Sequence, residues 1–430
     1  MKYQKVVEYL KETDKLGSKF GVEAIGKLLD LLGNPQRNLK IIHIGGTNGK
    51  GSTSSYLNNI LINGGYKVGL FTSPYMDKIN ESIKVNGIDI SDEDFSRLFS
   101  AIVDKIDIMK SQEMGNPTTF DILTALGFMH FKEEDIDYLI LEVGLGGKND
   151  STNVITSPMA SVFTTIDYDH VDVLGSTIEE IAFEKSGIIK EGSIAISHPQ
   201  KENVEDILIS AAKEKNTRFY KCPMENIAIK EISNAGSIFD FIYGDNHIKD
   251  IEISMVGEYQ IYNAALALTT ILILRERNLL QISDDKIKRG LKETRWPGRL
   301  EVIKRKPTIL LDGAHNLQGM IQLKKAIKMF NYSRLILCIA ILRDKDVPHM
   351  IEEIASLADK IIVTEVDMSR KLEAEVLGEK ILKYNKSVII EQDLQKAIEI
   401  GLELTREEDI LVVGGSLYLM GQARKILKSS

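Results

Sequence analysis

Short apolar runs alternate with stretches of helical periodicity along most of this chain, a pattern typical of parallel α/β layers. In the first half the pattern predicts strands at 39–44, 67–71, 138–142 and 159–164, and helices near 52–63, 92–107, 119–132 and 177–188. In the last third it predicts strands at 308–311, 335–340, 360–364, 387–390 and 409–413, each followed by a helical stretch. The sequence therefore predicts an α/β protein.

The middle of the chain departs from this pattern. Short alternating runs between 217 and 254 predict an antiparallel appendix, and two helices follow, the first near 259–276. Pro297 and Gly298 then interrupt the helical pattern at 295–299. We therefore place a domain boundary there and predict two domains, 1–295 and 296–430, which suits a chain too long for one typical core.

Composition narrows the class of protein. The 430 residues are 43% hydrophobic, with a net charge of −8 and no extended basic run, which gives nucleic-acid binding little support. No apolar run approaches the roughly 18 to 20 residues of a membrane span, and the polar N-terminus is no signal core. The two cysteines, Cys222 and Cys338, match neither a metal site nor a disulfide framework. We expect a cytoplasmic protein with no membrane or nucleic-acid partner.

The segment HIGGTNGKGST at 43–53 carries the most chemistry. It joins a predicted buried strand to a predicted helix through glycines that let the backbone approach phosphates, with Lys50 able to reach the β/γ oxygens and Ser52 or Thr53 able to hold Mg²⁺. Measured against G-x-x-x-x-G-K-[ST], Ile44 stands at the first glycine and Gly51 where the hydroxyl belongs, so the loop is a shorter variant. It predicts ATP or GTP binding; the alternative is an ordinary strand-to-helix turn.

Glu142 closes the predicted strand 138–142 and leads into the glycine-rich loop GLGGKND. A carboxylate at a strand end can hold the metal that bridges nucleotide phosphates, so Glu142 is a candidate Mg²⁺ ligand. The alternative is a solvated acid in a turn. The loop is not a dinucleotide fingerprint, because Asn149 replaces the third glycine and the segment is not the first βα turn.

Further polar residues follow neighbouring strands. Asp167, Asp169 and His170 come after the strand at 159–164, and Ser73 comes after the strand at 67–71. Ligands of open α/β sheets lie beyond the carboxyl ends of the strands. His170 is thus a candidate metal ligand or phosphate contact, and Ser73 a candidate for the same magnesium shell.

Lys185 stands on the apolar face of the predicted helix at 177–188, in line with Ile178, Ile181 and Ala182, while Glu184 points elsewhere. A buried ammonium without a partner normally loses its proton. A neutral lysine can take up CO₂ as a carbamate, an anion suited to magnesium; the alternative is that the side chain extends to solvent.

Two strand ends of the second domain repeat the strand-then-polar-turn arrangement, at DGAHN (312–316) and at GGSLY (414–418). Asp312 and His315 are candidates for binding a nucleotide or an amine, and Ser416 opens a helix whose N-terminus suits a carboxylate. Each has an alternative as a helix cap. Together they predict a second substrate site.

These motifs, taken in order, resemble the folylpolyglutamate synthase family, including its bifunctional dihydrofolate synthase members. The resemblance rests on GTNGKGS at 46–52, EVGLGG at 142–147, DH at 169–170, EKSGI at 184–188, WPGRLE at 296–301, DGAHN at 312–316 and GSLYL at 415–419. The chain departs from the family at Ser82, where the family has Arg, and at Tyr259, where it has His.

The resemblance implies an N-terminal P-loop mononucleotide-binding domain, a smaller C-terminal Rossmann-like domain, and an ATP- and Mg²⁺-dependent amide ligase. The enzyme would be a monomer that adds L-glutamate to the γ-carboxylate of a reduced folate through an acyl phosphate. The residues it implies are Thr47, Asn48, Gly49, Lys50, Gly51, Ser52, Asn263, Arg299 and Asp312 for ATP; Ser52, Ser73, Glu142 and His170 for magnesium; His315 and Ser416 for glutamate; and Lys50, His170, Arg299 and a Lys185 that can be carbamoylated for catalysis.

Two alternatives stay open at this point. Some of the motifs are shared with Mur peptidoglycan ligases, which normally carry an extra N-terminal domain for which there is no room before a P-loop within the first 50 residues. A P-loop ATPase coupled to a partner would leave the second α/β domain unexplained.

Overall fold

The computed structural model describes residues 1–14 and 21–429, which form two units. The first unit comprises Met1–Ala228, Asp240–Ile251 and Tyr262–Thr294, and the second comprises Ile229–Phe239, Glu252–Ile261 and Arg295–Ser430. The units thus interleave in sequence between 228 and 262, and the division into 1–295 and 296–430 stays a prediction. Among the described residues, no helix is both long and apolar enough to span a bilayer.

The first unit is built on an eight-stranded sheet of order β4-β3-β2-β5-β1-β6-β7-β8. Its strands are β1 (Ile41–Gly45), β2 (Val68–Phe71), β3 (Ile83–Val85), β4 (Ile88–Asp89), β5 (Tyr138–Glu142), β6 (Ala160–Phe163), β7 (Ile194–Ser197) and β8 (Arg218–Lys221). Strands β2, β5, β1, β6, β7 and β8 pair in parallel, and β3 and β4 form an antiparallel edge. The central strands β1, β5 and β6 are buried throughout and mostly apolar because both faces of a parallel sheet are covered.

Among the described residues up to 293, ten α-helices accompany the strands. They are α1 (Tyr3–Asp14), α2 (Glu23–Leu31), α3 (Lys50–Gly64), α4 (Asp92–Ser111), α5 (Thr119–Glu133), α6 (Val171–Leu174), α7 (Ile178–Ser186), α8 (Glu202–Glu214), α9 (Glu258–Glu276) and α10 (Asp284–Glu293). Helix α3 starts at Lys50, two residues before the predicted start, so the lysine belongs to its first turn. Helix α7 has an N-terminal capping box made by Thr177 and Glu180.

The predicted appendix at 217–254 is only partly right. A three-stranded sheet of order β11-β10-β9 does occur, from β9 (Ile227–Ser233), β10 (Gly236–Tyr243) and β11 (Asn246–Ile253). The first run of the segment, however, is β8, which extends the large sheet in parallel with β7. Strand β8 is partly exposed, as an edge strand of any sheet is, so its sequence pattern could not show which strand it pairs with.

The second unit contains a six-stranded sheet of order β12-β13-β17-β14-β15-β16. Its strands and helices are β12 (Glu301–Arg305), β13 (Thr308–Asp312), α11 (Leu317–Ile327), β14 (Leu335–Ile339), α12 (Val347–Ile354), β15 (Lys360–Val363), α13 (Ala374–Ile381), β16 (Val388–Ile390), α14 (Leu394–Leu404), β17 (Ile410–Gly414) and α15 (Leu417–Ser429). All pairs are parallel except β12 with β13, an antiparallel edge that we did not predict. The predicted α/β fold class, with a larger N-terminal unit and a smaller C-terminal one, is confirmed.

Candidate functional site

The loop after β1 has the backbone of a phosphate cradle. Gly46 and Gly49 have φ of 136° and 93°, in the region that favours glycine, and α3 begins directly afterwards at Lys50. A Cβ on Gly46 would collide with Thr164 Oγ1, and one on Gly49 would lie 2.5 Å from Asn263 Oδ1. The first N–H groups of α3 have no acceptor within the helix, so the loop aims donors and a positive dipole end at an anion.

Thr47 and Asn48 attach this loop to the segment that leaves β6. The backbone N–H of Thr47 donates to Thr165 O at 2.7 Å, and its hydroxyl donates to Asp167 O at 3.0 Å and accepts from Asp167 N–H at 3.1 Å. Thr165 Oγ1 donates to Asn48 O at 3.2 Å. The cradle is therefore held against its neighbouring strand end on both residues that precede Gly49.

Lys50 and Lys185 converge on one carbonyl of the cradle. Lys50 Nζ donates to the oxygens of Gly46 and Thr47, both at 3.3 Å, and Lys185 Nζ donates to Gly46 O at 2.9 Å. Lys185 is only 5% exposed, as predicted for the inner face of α7. Burial, and then the nearby positive charge of Lys50, lower the pKa of Lys185 to about 7. A substantial fraction of this amine is thus neutral near pH 7, whereas an ordinary lysine is charged.

Glu142 is buried at the carboxyl end of β5, where it stands opposite Ile44 of β1 in the parallel register. Ser73 follows β2, the strand on the other side of β5, and Ser52 is buried in the first turn of α3. Glu142 and Ser73 thus lie at the carboxyl ends of neighbouring strands, and Ser52 lies in the helix that follows the end of β1.

These oxygen donors suit a magnesium ion. The set offers one carboxylate and hydroxyl groups, the hard oxygen ligands that Mg²⁺ takes together with water and phosphate. Thr53 Oγ1, one residue after Ser52, is also buried and has no hydrogen-bond partner among the described residues, so this oxygen is available as a further metal ligand. In the part of the chain that the structure describes, no three His, Cys, Asp or Glu side chains form a metal-binding group. The magnesium assignment of Ser52, Ser73, Glu142 and His170 stays a prediction.

His170 follows β6 in an uncommon backbone conformation. Its φ is 51°, its N–H donates to Asp169 Oδ1 at 2.9 Å, and its Nε2 lies 3.8 Å from the same oxygen. The ring is 35% exposed and the Asp169 side chain 11% exposed. A non-glycine residue at positive φ is a strained position that functional sites often contain.

The second unit presents a buried carboxylate at the end of β13. Asp312 accepts from Leu300 N–H at 2.9 Å and from Ala314 N–H at 2.8 Å. Burial raises the pKa of Asp312, and the positive charge of Arg299 opposes that rise. Tyr259 is partly buried near both charges, and loss of hydration raises its pKa well above the ordinary value. Asp312 therefore holds the turn that contains Arg299 at the carboxyl end of β13.

His315 and Ser416 have local partners of their own. His315 Nδ1 donates to Gly313 O at 2.8 Å, and Ser416 Oγ accepts from Tyr418 N–H at 3.2 Å at the start of α15. For Ser416 this is the helix-cap geometry that the sequence left open, and a cap does not prevent a helix N-terminus from binding a carboxylate. The glutamate-binding roles stay predictions, as do the ATP-binding roles of Thr47, Asn48, Gly49, Lys50, Gly51, Ser52, Asn263, Arg299 and Asp312.

Two buried groups near the first site escaped the sequence analysis. Asp150 accepts from Leu145 N–H at 2.8 Å and from Thr152, whose hydroxyl in turn lies 2.8 Å from His43 Nε2. Since that hydroxyl donates to Asp150, it accepts from His43, and burial lowers the pKa of His43 to about 3, so the ring is neutral. An Asp after a glycine loop was the only signal in the sequence.

Comparison with known proteins gives the family. Residues 44–271 match the Mur ligase middle domain, and residues 298–417 match the Mur ligase glutamate ligase domain. The chain is 36% identical over 432 residues to a dihydrofolate synthase/folylpolyglutamate synthase of Bacillus subtilis and 30% identical over 429 residues to a folylpolyglutamate synthase of Lacticaseibacillus casei, covering 99% of both chains in each case.

Solved structures agree with the sequence matches. A Mycobacterium tuberculosis folylpolyglutamate synthase complexed with ADP superposes with a TM-score of 0.91 at 27% identity, covering 99% of each chain. A Thermotoga maritima folylpolyglutamate synthase gives 0.86 at 35% identity, covering 99% of this chain and 97% of that one. The predicted resemblance is thereby confirmed, and the chain belongs to the folylpolyglutamate synthase/dihydrofolate synthase family of Mur-type ligases.

Proposed function

We propose that this protein is an ATP-dependent ligase that joins the amine of L-glutamate to the γ-carboxylate of a reduced folate, and that it can also act as a dihydrofolate synthase. The observation that carries the proposal is the cradle after β1, where Lys50 and Lys185 meet at Gly46 O beside the buried end of β5. Its support is the family, whose solved members include one complexed with ADP and an Escherichia coli protein in complex with DHPP and ADP.

The reaction needs an anion-binding site because it brings anions together. A carboxylate is a poor acylating agent, so its oxygen attacks the γ-phosphorus of ATP and ADP leaves, giving an acyl phosphate. The glutamate amine then attacks the acyl carbon, loses its proton, and phosphate departs with the carbon–oxygen bond electrons. Lys50 and the N–H groups in the first turn of α3 would offset the phosphate charges, and holding the reactants in place removes about 7 to 11 kcal/mol of barrier.

Ser52, Ser73, Glu142 and His170 would hold Mg²⁺, which when bound supplies charge neutralisation on the phosphate oxygens. The roles proposed in the second unit follow the family resemblance: Arg299 and Asp312 for the nucleotide, and His315 and Ser416 for glutamate. We also infer that the protein is cytoplasmic and a monomer. Sedimentation of the purified protein would test whether it is a monomer.

Lys185 has the chemistry that carbamate formation requires. A neutral amine attacks CO₂ and releases a proton, and the pKa of Lys185 near 7 supplies the neutral form. We infer that Lys185 is carbamoylated in the working enzyme. Carbon-13 NMR of the protein in labelled bicarbonate tests this inference: a carbamate signal present in the wild type and absent from Lys185→Met supports it, and spectra without a difference contradict it.

The decisive experiment measures phosphate release with Mg-ATP and L-glutamate in the presence of tetrahydrofolate, dihydropteroate or no acceptor, with the product mass recorded in parallel. We expect release to depend on both glutamate and acceptor, with a gain of one glutamyl unit on tetrahydrofolate. A matching gain on dihydropteroate makes the enzyme bifunctional.

Equal release without an acceptor contradicts the proposal and favours an ATPase that serves another partner. Acceptance of glutamate only by a UDP-linked peptidoglycan precursor would instead identify a Mur-type ligase.

A further inference from the structure

The carboxylate of Glu184 holds the loop that follows β5. Its Oε1 accepts from Asn149 N–H at 3.0 Å, and the Asn149 side-chain amide lies 3.2 Å from each carboxylate oxygen. The backbone carbonyl of Glu184 accepts from Lys148 N–H at 2.8 Å. A single residue of α7 therefore receives the donors of two consecutive loop residues.

The loop and the end of α7 pack closely against each other. A Cβ on Gly147 would lie 2.8 Å from the carbonyl oxygens of Glu184 and Lys185, and one on Gly187 would collide with Lys148. A Cβ on Gly146 would lie 3.1 Å from Glu184 Cγ. Distances this short leave no room for a side chain at the three glycines, so the backbone of the loop lies directly against the end of the helix.

Glu184 also precedes the lysine that reaches the cradle. Lys185 Nζ donates to Gly46 O at 2.9 Å, so the helical turn that carries Glu184 bridges the loops leaving β1 and β5. Among the charges that raise the pKa of Lys185, Glu184 acts less than Asp169 and Asp150 do.

We propose that Glu184 is a positioning residue of the ligase: through Asn149 it locks residues 147–149 to α7 and so sets the place of Lys185 Nζ on the cradle. This inference rests on the proposed function. It assigns no contact with substrate to Glu184.

Exchanging the two side chains tests the lock. Glu184→Gln keeps one acceptor oxygen and replaces the other with an NH₂ that faces the side-chain amide of Asn149, so it weakens the pair, whereas Asn149→Asp puts two carboxylates side by side and breaks it. The double variant restores one pair with donor and acceptor reversed. We expect each single change to lower kcat for glutamate-dependent turnover by about 10- to 100-fold with the KM for glutamate unchanged, as for other groups that orient active-site residues. We expect the double variant to recover most of that loss.

The chain offers a matched control on the same helix. Glu179 of α7 accepts from the Asn203 side chain, an exposed Glu–Asn pair that joins α7 to α8. Glu179→Gln and Asn203→Asp should leave kcat unchanged. Thermal unfolding of all variants separates positioning from loss of fold.

The outcomes are distinguishable. A wild type without folate-dependent turnover overturns the proposed function itself. With an active wild type, unchanged kcat in Glu184→Gln overturns the positioning role. Failure of the double variant to recover, or a loss of kcat matched by the control pair and by a lower unfolding temperature, also overturns it.

Discussion

Lys50 and Lys185 donate to the same acceptor, the carbonyl oxygen of Gly46, at 3.3 and 2.9 Å. Burial of Lys185, and then the positive charge of Lys50 at the same carbonyl, lower the pKa of Lys185 to about 7. The backbone of the cradle thus both presents donors for phosphate and creates a reactive amine.

This low pKa makes stability depend on pH. Between about pH 7 and about pH 10.4, the unfolded chain keeps a proton on Lys185 that the folded chain has lost, so the free energy of unfolding rises with pH. The expected slope from this residue is about 1.4 kcal/mol per pH unit, and the cost of burying the charge is greatest below pH 7. Denaturant unfolding of the wild type and Lys185→Met in CO₂-free buffers checks it. Parallel curves for the two proteins across this range contradict it.

Gly49→Ala should abolish nucleotide binding in addition to lowering the free energy of unfolding. The position needs φ of 93°, and the new Cβ would meet Asn263 Oδ1 at 2.5 Å, so the cradle must deform. Gly192→Ala is the control, with φ of 76° and open space around the Cβ. Both should lose about 1–2 kcal/mol of unfolding free energy, but only Gly49→Ala should lose ADP binding in calorimetry. Equal ADP affinity in the two variants would refute the cradle.

Thr47→Val should loosen the attachment of the cradle to the β6 segment. The hydroxyl of Thr47 both donates to and accepts from Asp167, and valine leaves these partly buried backbone groups without it. We expect a loss of about 1–3 kcal/mol in unfolding free energy and weaker ADP binding. Thr47→Ser keeps the hydroxyl and should retain both properties. The attachment would have no role in binding if valine and serine gave the same ADP affinity.

Asp312→Asn should weaken the turn around Arg299. Leu300 N–H donates to one carboxylate oxygen of Asp312 and Ala314 N–H to the other, and an amide keeps only one of these oxygens, so one buried N–H loses its acceptor at a cost of about 1–3 kcal/mol. Asp409→Asn is the control, since Asp409 is a buried carboxylate of the same unit that pairs with Arg334. Both should lower the unfolding temperature, whereas only Asp312→Asn should raise the KM for ATP. An unchanged KM would remove Asp312 from the nucleotide site.

The sequence predicted the central parallel strands better than the edge strands. Strand β5 has its predicted bounds, because a buried strand is an unbroken apolar run. Strand β12 was missed and β8 was placed in the wrong sheet, since an edge strand is half polar and its pattern does not name its partner.

What the sequence alone determined is the fold class, the cradle, the inward face of Lys185 and the family, because each depends on residues close together in the chain or on motifs in a fixed order. Only the tertiary structure decided which groups meet. It put Lys50 and Lys185 on one carbonyl, Asn149 on Glu184, and Thr152 between His43 and Asp150. Three of these contacts, Asn149 with Glu184, His43 with Thr152 and Gly46 with Lys185, join residues 35, 109 and 139 positions apart, and the spacing of residues along a chain carries no information about such contacts until the strands are ordered in the sheet.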